Sequence, residues 1–295
     1  MDSQLIISQK KQRNSCGSKI ELLNPAKINL YLNIVGKSGG YHRLESIVER
    51  ISLFDKLSIK VRPDSSIKIS SNNKQLETKK NLCYKAAKLI KDEFNISFGF
   101  DIYLEKNIPI GSGLGGGSSN AAFTLLGIKE LLSLEISKDR LYRMGQKLGS
   151  DVNFFLTDSK FAYLSGRGQI VEPLSSKIKL NHFIVWPRIS ISTKEVYKNS
   201  KAKLTRFFSN VNMLKYSLKN LDYYLLKKGI YNCLEKSAFA LCKKLFELKK
   251  SLNRNGMVSV MSGSGSAFYT VGLKNYKEIK KIVPDNWIVH KVQTF

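Results

Sequence analysis

The hydrophobic pattern changes period along the chain. Residues 20–35 are apolar and extended, interrupted by Pro25-Ala26-Lys27-Ile28-Asn29, and a turn cluster follows at residues 36–40. Residues 47–61 alternate apolar and polar side chains, as in Asp55-Lys56-Leu57-Ser58-Ile59-Lys60-Val61, which predicts a strand. Residues 67–71 predict another. Residues 81–94 place Leu82, Ala86, Leu89, Ile90 and Phe94 at helical spacing, and residues 98–105 return to strand alternation with Phe98, Phe100, Ile102 and Leu104 on one face. A glycine-rich stretch comes next, and helical spacing resumes through Ala122, Leu125, Leu126, Ile128 and Leu132. A helix over 139–148 has Ser137 as its cap, Leu141, Met144 and Leu148 as its buried side, and Gly149 as its stop. Strands are predicted at 161–164 and 182–186, basic helices over 210–250, a second Gly/Ser loop leading into a strand within 258–271, and a short helix over 274–282.

Composition bounds what this pattern can be. With 295 residues and 42% hydrophobic positions the chain has ample core for one large or two ordinary domains, and disorder is excluded. No apolar run is long enough to span a membrane. Cys16, Cys83, Cys233 and Cys242 lie far apart without a CxxC pair, which argues against a zinc ribbon or a disulfide framework and for a reduced, cytoplasmic protein. No cluster of His and Cys marks a metal site. The polar first 19 residues lack the apolar segment of a secretory signal and read as a poorly ordered tail, with an organelle transit segment as the alternative that Asp2 and a single Arg weaken.

Charge adds one question. Lys and Arg number 49 against 23 Asp and Glu, so 49 − 23 gives +26. A basic balance of this size invites a nucleic-acid reading. Yet the excess is broad and mostly lysine: residues 201–250 hold 12 basic and 3 acidic side chains, net +9, whereas residues 105–151 hold 6 and 5, net +1. No nucleic-acid partner is expected from so diffuse a lysine excess, heaviest in the C-terminal helices; it reads as composition, with some capacity to gather small anions.

The glycine stretch carries the chemistry. It runs Pro109-Ile110-Gly111-Ser112-Gly113-Leu114-Gly115-Gly116-Gly117-Ser118-Ser119-Asn120, with five glycines in seven positions. Glycines allow positive φ and close approach of a ligand to successive N–H groups, and the start of the following helix favours an anion. Alternatives are a plain flexible loop with a serine cap, a P-loop and a Rossmann turn. The P-loop needs a lysine after its last glycine, which is absent. The Rossmann turn needs a strand running straight into the glycines, and here Asn107-Ile108-Pro109 intervenes.

This stretch resembles the second motif of the GHMP small-molecule kinases. Pro25-Ala26-Lys27-Ile28-Asn29-Leu30 is similar to the family's first motif and Met261-Ser262-Gly263-Ser264-Gly265-Ser266 to its third. Gly40-Tyr41-His42-Arg43-Leu44, Leu148-Gly149-Ser150-Asp151-Val152, Gly166-Arg167-Gly168 and the segment from Ser190 to Tyr197 resemble one branch of that family. Asn153 stands where the family has Pro, and Ser112 where Gly is common.

The resemblance implies an α+β, two-domain architecture. Its N-terminal domain, over 20–168, would be a ribosomal-protein-like α/β fold, and its C-terminal domain, over 169–295, an α+β sandwich, with the site between them. It implies transfer of the γ-phosphoryl group of ATP to the 2-hydroxyl of a methylerythritol moiety in the non-mevalonate isoprenoid precursor pathway, with Mg²⁺ bound mainly through phosphates. The partner would be a small molecule carrying a cytidine diphosphate, and the protein a monomer or homodimer. Residues 109–119 would hold ATP, with Asn81 and Leu82 near the adenine. Asp151 would be the general base, although alone it reads as a helix cap. Lys27 would sit beside that base, although in so lysine-rich a chain it reads alone as a surface residue. Tyr41, His42 and Tyr197 would take the pyrimidine, with ordinary half-buried aromatics and a loop histidine as the alternative. Asn29 and Thr193 would contact hydroxyls or phosphate, and Gly263, Ser264 and Gly265 would close on the substrate diphosphate, unless they form a strand-joining turn and nothing more. His182 and His290 read as structural.

Overall fold

The computed structural model describes residues 6–10, 17–200, 209–272 and 276–295. Its elements form two compact units, each assembled from separate stretches of chain. Unit 1 comprises Met1–Ala26, Phe54–Ile108 and Gly116–Asp158; unit 2 comprises Lys27–Leu53, Pro109–Gly115 and Ser159–Phe295. The contiguous domains expected at 20–168 and 169–295 differ from this division. The reason lies in two long strands, β2 (Lys19–Ser38) and β3 (Tyr41–Arg62), each of which contributes residues to both units. β2 continues through Pro25, where the sequence suggested a break. The turn joining it to β3 uses Gly39 and Gly40 at φ +56° and +79°, the left-handed pair that a two-residue hairpin requires.

In unit 1, β1 (Ile6–Lys10) pairs antiparallel with the start of β2, so part of the expected tail is a strand; residues 1–5 and 11–16 lie outside the described residues. The second half of β3 pairs antiparallel with β5 (Gly99–Glu105), and β5 pairs parallel with β4 (Ile67–Ser71). A parallel pair needs a crossover. Helix α1 (Leu82–Glu93) supplies it, capped by Asn81, whose Oδ1 accepts from the Cys83 N–H. That bond, with a second from Asn81 Nδ2 to the Leu76 carbonyl at 2.8 Å, commits to the cap a side chain expected near adenine. Helix α2 (Gly116–Leu131) packs on α1 and against the sheet, where a Cβ on Gly127 would come within 2.8 Å of Leu22 and 3.0 Å of Ile59. Helix α3 (Lys138–Leu148) has the expected Ser137 cap and buries Leu141 and Met144, while Leu148 stays half-exposed. The short helix α4 (Val152–Phe155) ends the unit's last stretch.

In unit 2, residues 46–49 of β3 pair antiparallel with β6 (Phe161–Ser165), which pairs with β7 (Ile170–Leu174). Tyr31 and Leu32 of β2 pair parallel with β9 (Tyr231–Asn232). A second sheet has the order β10 (Ser259–Met261), β11 (Phe268–Thr270), β8 (Asn181–Trp186), β12 (Ile288–Gln293), antiparallel throughout. Helices α5 (Thr193–Asn199), α6 (Ser209–Asn220), α7 (Tyr223–Gly229), α8 (Glu235–Leu241), α9 (Lys243–Arg254) and α10 (Tyr276–Ile282) complete it. Residues 274 and 275 of the helix expected at 274–282 lie outside the described residues. One apolar cluster joins Leu32 and Ile34 to Phe183, Val185, Leu245, Leu248 and Phe268. Among the described residues no helix is long and apolar enough to cross a membrane, and Cys83, Cys233 and Cys242 are free thiols.

Candidate active site

The expected site residues of unit 2 begin on β2. Lys27 and Asn29 are two apart on a strand and share a face. Lys27 is 3% exposed, which overturns the surface reading that composition favoured. Its Nζ donates to Asn29 Oδ1 at 2.6 Å, and its backbone N–H donates to the Leu114 carbonyl at 2.9 Å. Asn29 is fixed in turn. Its Nδ2 donates to Ser46 Oγ at 2.8 Å, Ser46 Oγ donates to the Tyr31 carbonyl at 2.6 Å, and the Tyr269 hydroxyl donates to the Asn29 carbonyl at 2.9 Å. A flexible lysine chain is thereby held in one place before any ligand arrives, which lowers the ordering cost of using its charge.

The first glycine loop, from Pro109 to Gly115, has Gly111, Gly113 and Gly115 at φ +66°, +79° and +72°. At Gly113 the requirement is also one of space, because a Cβ there would stand 2.0 Å from the Ser262 carbonyl oxygen. The two glycine loops are laced together: Ser262 Oγ donates to the Gly113 carbonyl at 3.0 Å and the Ala267 N–H to the Ser112 carbonyl at 3.0 Å. Ser112, the departure from the common Gly, is buried and donates to the Pro109 carbonyl at 2.6 Å, so its hydroxyl stays inside the loop. The second loop does join strands, β10 to β11, and is braced from beneath by Asn232, whose Nδ2 donates to the Met261 and Gly263 carbonyls at 2.7 and 2.8 Å. Its Ser264 hydroxyl lies 2.8 Å from Thr193 Oγ1 at the start of α5. Thr193, Gly263, Ser264 and Gly265 thus form one patch. Asn232 was invisible in the sequence, since a lone Asn after a helix carries no pattern.

Gly116, Gly117, Ser118 and Ser119 belong to unit 1 and form the first turn of α2, rather than preceding the helix as expected. The first four N–H groups of a helix lack intrahelical partners, and the macrodipole adds partial positive charge at the same end. A phosphate suits both. Asp151 occupies the cap position of α4 at φ −85° and ψ −6°, yet its side chain makes no capping hydrogen bond. The helix-cap reading is met in position but not in side-chain bonding. Asn153, where the family has Pro, is 1% exposed and packs against α3 at Gly145, where a Cβ would stand 2.3 Å from its Oδ1.

The aromatic residues expected around a base gather in unit 2. The His42 and Tyr197 rings lie 5.6 Å apart between centroids. His42 Nδ1 is buried without a hydrogen-bond partner. Burial, and then the charge of Lys37, lower the pKa of this ring, which keeps it neutral near pH 7. A buried ring nitrogen left unpaired is costly and suited to a ligand's polar edge. Tyr41 is 58% exposed, and the Arg167 guanidinium lies 4.4 Å from its ring centroid. The turn bearing Arg167 is tied to β3 by a bond from the Leu44 N–H to the Gly166 carbonyl at 2.7 Å. Arg167, to which the sequence assigned no role, is therefore the companion of Tyr41. His182 is fully buried between the Thr270 carbonyl and Glu49, as a structural residue should be.

Comparison with known proteins decides the family. The model of the GHMP kinase N-terminal domain matches residues 81–159, and that of the GHMP kinase C-terminal domain matches residues 214–288. A 4-diphosphocytidyl-2-C-methyl-D-erythritol kinase of Alkaliphilus metalliredigens is 34% identical over 92% of this chain and 94% of its own length. The chain belongs to the GHMP kinase family. A solved 4-(cytidine 5'-diphospho)-2C-methyl-D-erythritol kinase superposes with a TM-score of 0.73 at 28% identity, covering 92% of this chain and 98% of the other. Homoserine kinase from Cytophaga hutchinsonii superposes at 0.75 with 16% identity over 97% of each chain, a likeness of fold alone. The protein is thus a small-molecule kinase of the GHMP family, it uses ATP, and the α+β expectation holds.

Proposed function

We propose that this kinase transfers the γ-phosphoryl group of ATP to the 2-hydroxyl of 4-diphosphocytidyl-2-C-methyl-D-erythritol, within the cytoplasm. The observation that carries the substrate is the near full-length similarity to kinases bearing that name. The residues present fit ATP: positive-φ glycines in the first loop, and a following helix α2 whose first-turn N–H groups have no intrahelical partners. Among the described residues no three His, Cys, Asp or Glu side chains gather around a cation position. In this reading Mg²⁺ comes with ATP and takes its ligands mainly from phosphate oxygens.

ATP supplies the transferable phosphoryl group; the remaining work falls to the protein. Asp151 accepts the proton of the 2-hydroxyl as that oxygen attacks, since an alcohol is a weak nucleophile at neutral pH. Lys27, held by Asn29, stabilises negative charge developing on the transferred group. The N–H groups of residues 111–119 orient the nucleotide phosphates. Neutral His42 reads the polar edge of the cytosine while Tyr41 and Tyr197 supply its apolar faces, and the Thr193, Gly263, Ser264 and Gly265 patch receives the substrate diphosphate. Replacement Asp151→Ala tests the mechanism. It should abolish phosphoryl transfer, by about 10²-fold at the least, with ATP still bound. Turnover near the wild-type rate would sink it.

A further inference from the structure

Asp55 is the candidate that the mechanism above leaves unused. In the alternating strand β3 it falls on the inward phase with Leu53, Leu57, Ile59 and Val61, and it is 0% exposed. A buried carboxylate needs full satisfaction, and this one has it. Oδ1 accepts from the backbone N–H groups of Asn107 and Ile108, both at 2.7 Å. Oδ2 accepts from Lys106 Nζ at 2.7 Å and from Asn120 Nδ2 at 2.9 Å. Lys106 Nζ also donates to the Ile108 carbonyl, and Asn24 Nδ2 donates to Asn120 Oδ1 at 2.9 Å.

These partners are placed with a purpose. Asn107 and Ile108 are the last residues before the chain leaves unit 1 for the first glycine loop, and Asn120 lies in α2 just after the chain returns. Gly116, where it returns, touches the same cluster: a Cβ there would stand 2.9 Å from Lys106 Nζ and 3.0 Å from Ile108 Cγ2. One carboxylate therefore ties down both ends of the loop. Stability alone is a poor reason to keep such a group, because a buried ion pair is often matched or beaten by apolar residues of the same volume. Positioning is a better one, because backbone donors must meet phosphate oxygens with small tolerance.

We infer that Asp55 is a positioning residue for ATP, setting the span and orientation of the glycine loop through Asn107, Ile108 and Asn120. This rests on the reading that the loop holds the nucleotide phosphates. In Asp55→Asn the amide keeps an acceptor for the two backbone N–H groups but turns a donor toward Lys106 and Asn120. The KM for ATP should rise about tenfold while that for the acceptor alcohol stays within about twofold. Asn120→Ala, which removes one of the four contacts, should shift the KM for ATP in the same direction by about threefold, and it covers the case in which Asp55→Asn does not fold. Adding Lys106→Met to Asp55→Asn removes the stranded charge and should recover thermal stability without recovering the KM for ATP. Equal shifts in both KM values, or recovery of KM together with stability, would overturn the inference. Titration of wild type and variants with a nonhydrolysable ATP analogue reads the clamp whichever alcohol accepts the phosphate. Weakened analogue binding in the variants with no transfer by the wild type would retire the substrate assignment and leave the clamp standing.

Discussion

Two histidines of unit 2 separate the part of the molecule that is finished from the part that is waiting. His182, on β8, is enclosed by groups that can only accept: the Thr270 carbonyl 2.9 Å from Nδ1 and the Glu49 carboxylate 3.0 Å from Nε2. Both ring nitrogens are best satisfied as donors, which means an imidazolium. Burial alone would lower its pKa, but the charge and hydrogen bond of Glu49, together with the hydrogen bond to the Thr270 carbonyl, raise it. Glu49 completes the cluster by accepting from Thr294 Oγ1 at 2.6 Å, which pins the end of the chain. His42, on β3, has the opposite character: a neutral ring with one nitrogen buried and unpaired, beside the half-buried ring of Tyr197. For these two histidines the closed surroundings mark a structural residue and the open ring nitrogen a candidate ligand contact.

The contrast can be broken by substitution. The largest expected effect is on stability. Glu49→Gln leaves His182 without its countercharge and should cost about 3 kcal/mol in chemical denaturation, with turnover well below the transition unchanged. The pH dependence has a definite sign. The folded pKa of His182 lies above the ordinary 6.5, so its stabilisation is complete below that value and is lost as pH rises through the raised one. The gap between wild type and Glu49→Gln should therefore narrow on the alkaline side. A gap that widened there would contradict the imidazolium assignment.

His42→Ala should do the reverse: near-native stability, with the KM for the cytidyl substrate raised about tenfold, the worth of one hydrogen bond near 1.4 kcal/mol. Unchanged KM would return His42 to the loop-histidine reading. The smallest effect belongs to Arg167→Ala, which removes an exposed cation–π partner from Tyr41. About 0.5–1 kcal/mol is at stake, or twofold to fivefold in the same KM. Arg167→Lys should recover part of it, and an increase in the KM for ATP instead would place Arg167 elsewhere in the chemistry.

Much of the fold was legible because period-2 and period-3.6 patterns are strong where one face is buried, as in 67–71, 81–94 and 98–105. Several features were not, strand β1 and the division into discontinuous units among them. β2 runs on through Pro25, a residue type that reads as a break because it has no N–H to give a ladder. β7 (Ile170–Leu174) hides because Glu172 and Pro173 spoil its alternation, and α5 is too short for a helical period to declare itself. The site was read through its motifs rather than from composition. The +26 charge pointed at nucleic acid, whereas Lys27 proved informative through its burial. The bracing around the site escaped because Asn232 acts through contacts distant in sequence. Asp55 did leave a signal, a carboxylate on the inward phase of an amphipathic strand.

The central claim is the identity of the phosphoryl acceptor, and a transfer assay with a panel tests it most directly. The purified protein is given ATP with the cytidyl-methylerythritol substrate, mevalonate, phosphomevalonate, homoserine or galactose, one at a time. The expected result is transfer to the first compound with the highest kcat/KM. Preferred transfer to any of the others would contradict the account while leaving the GHMP kinase fold intact.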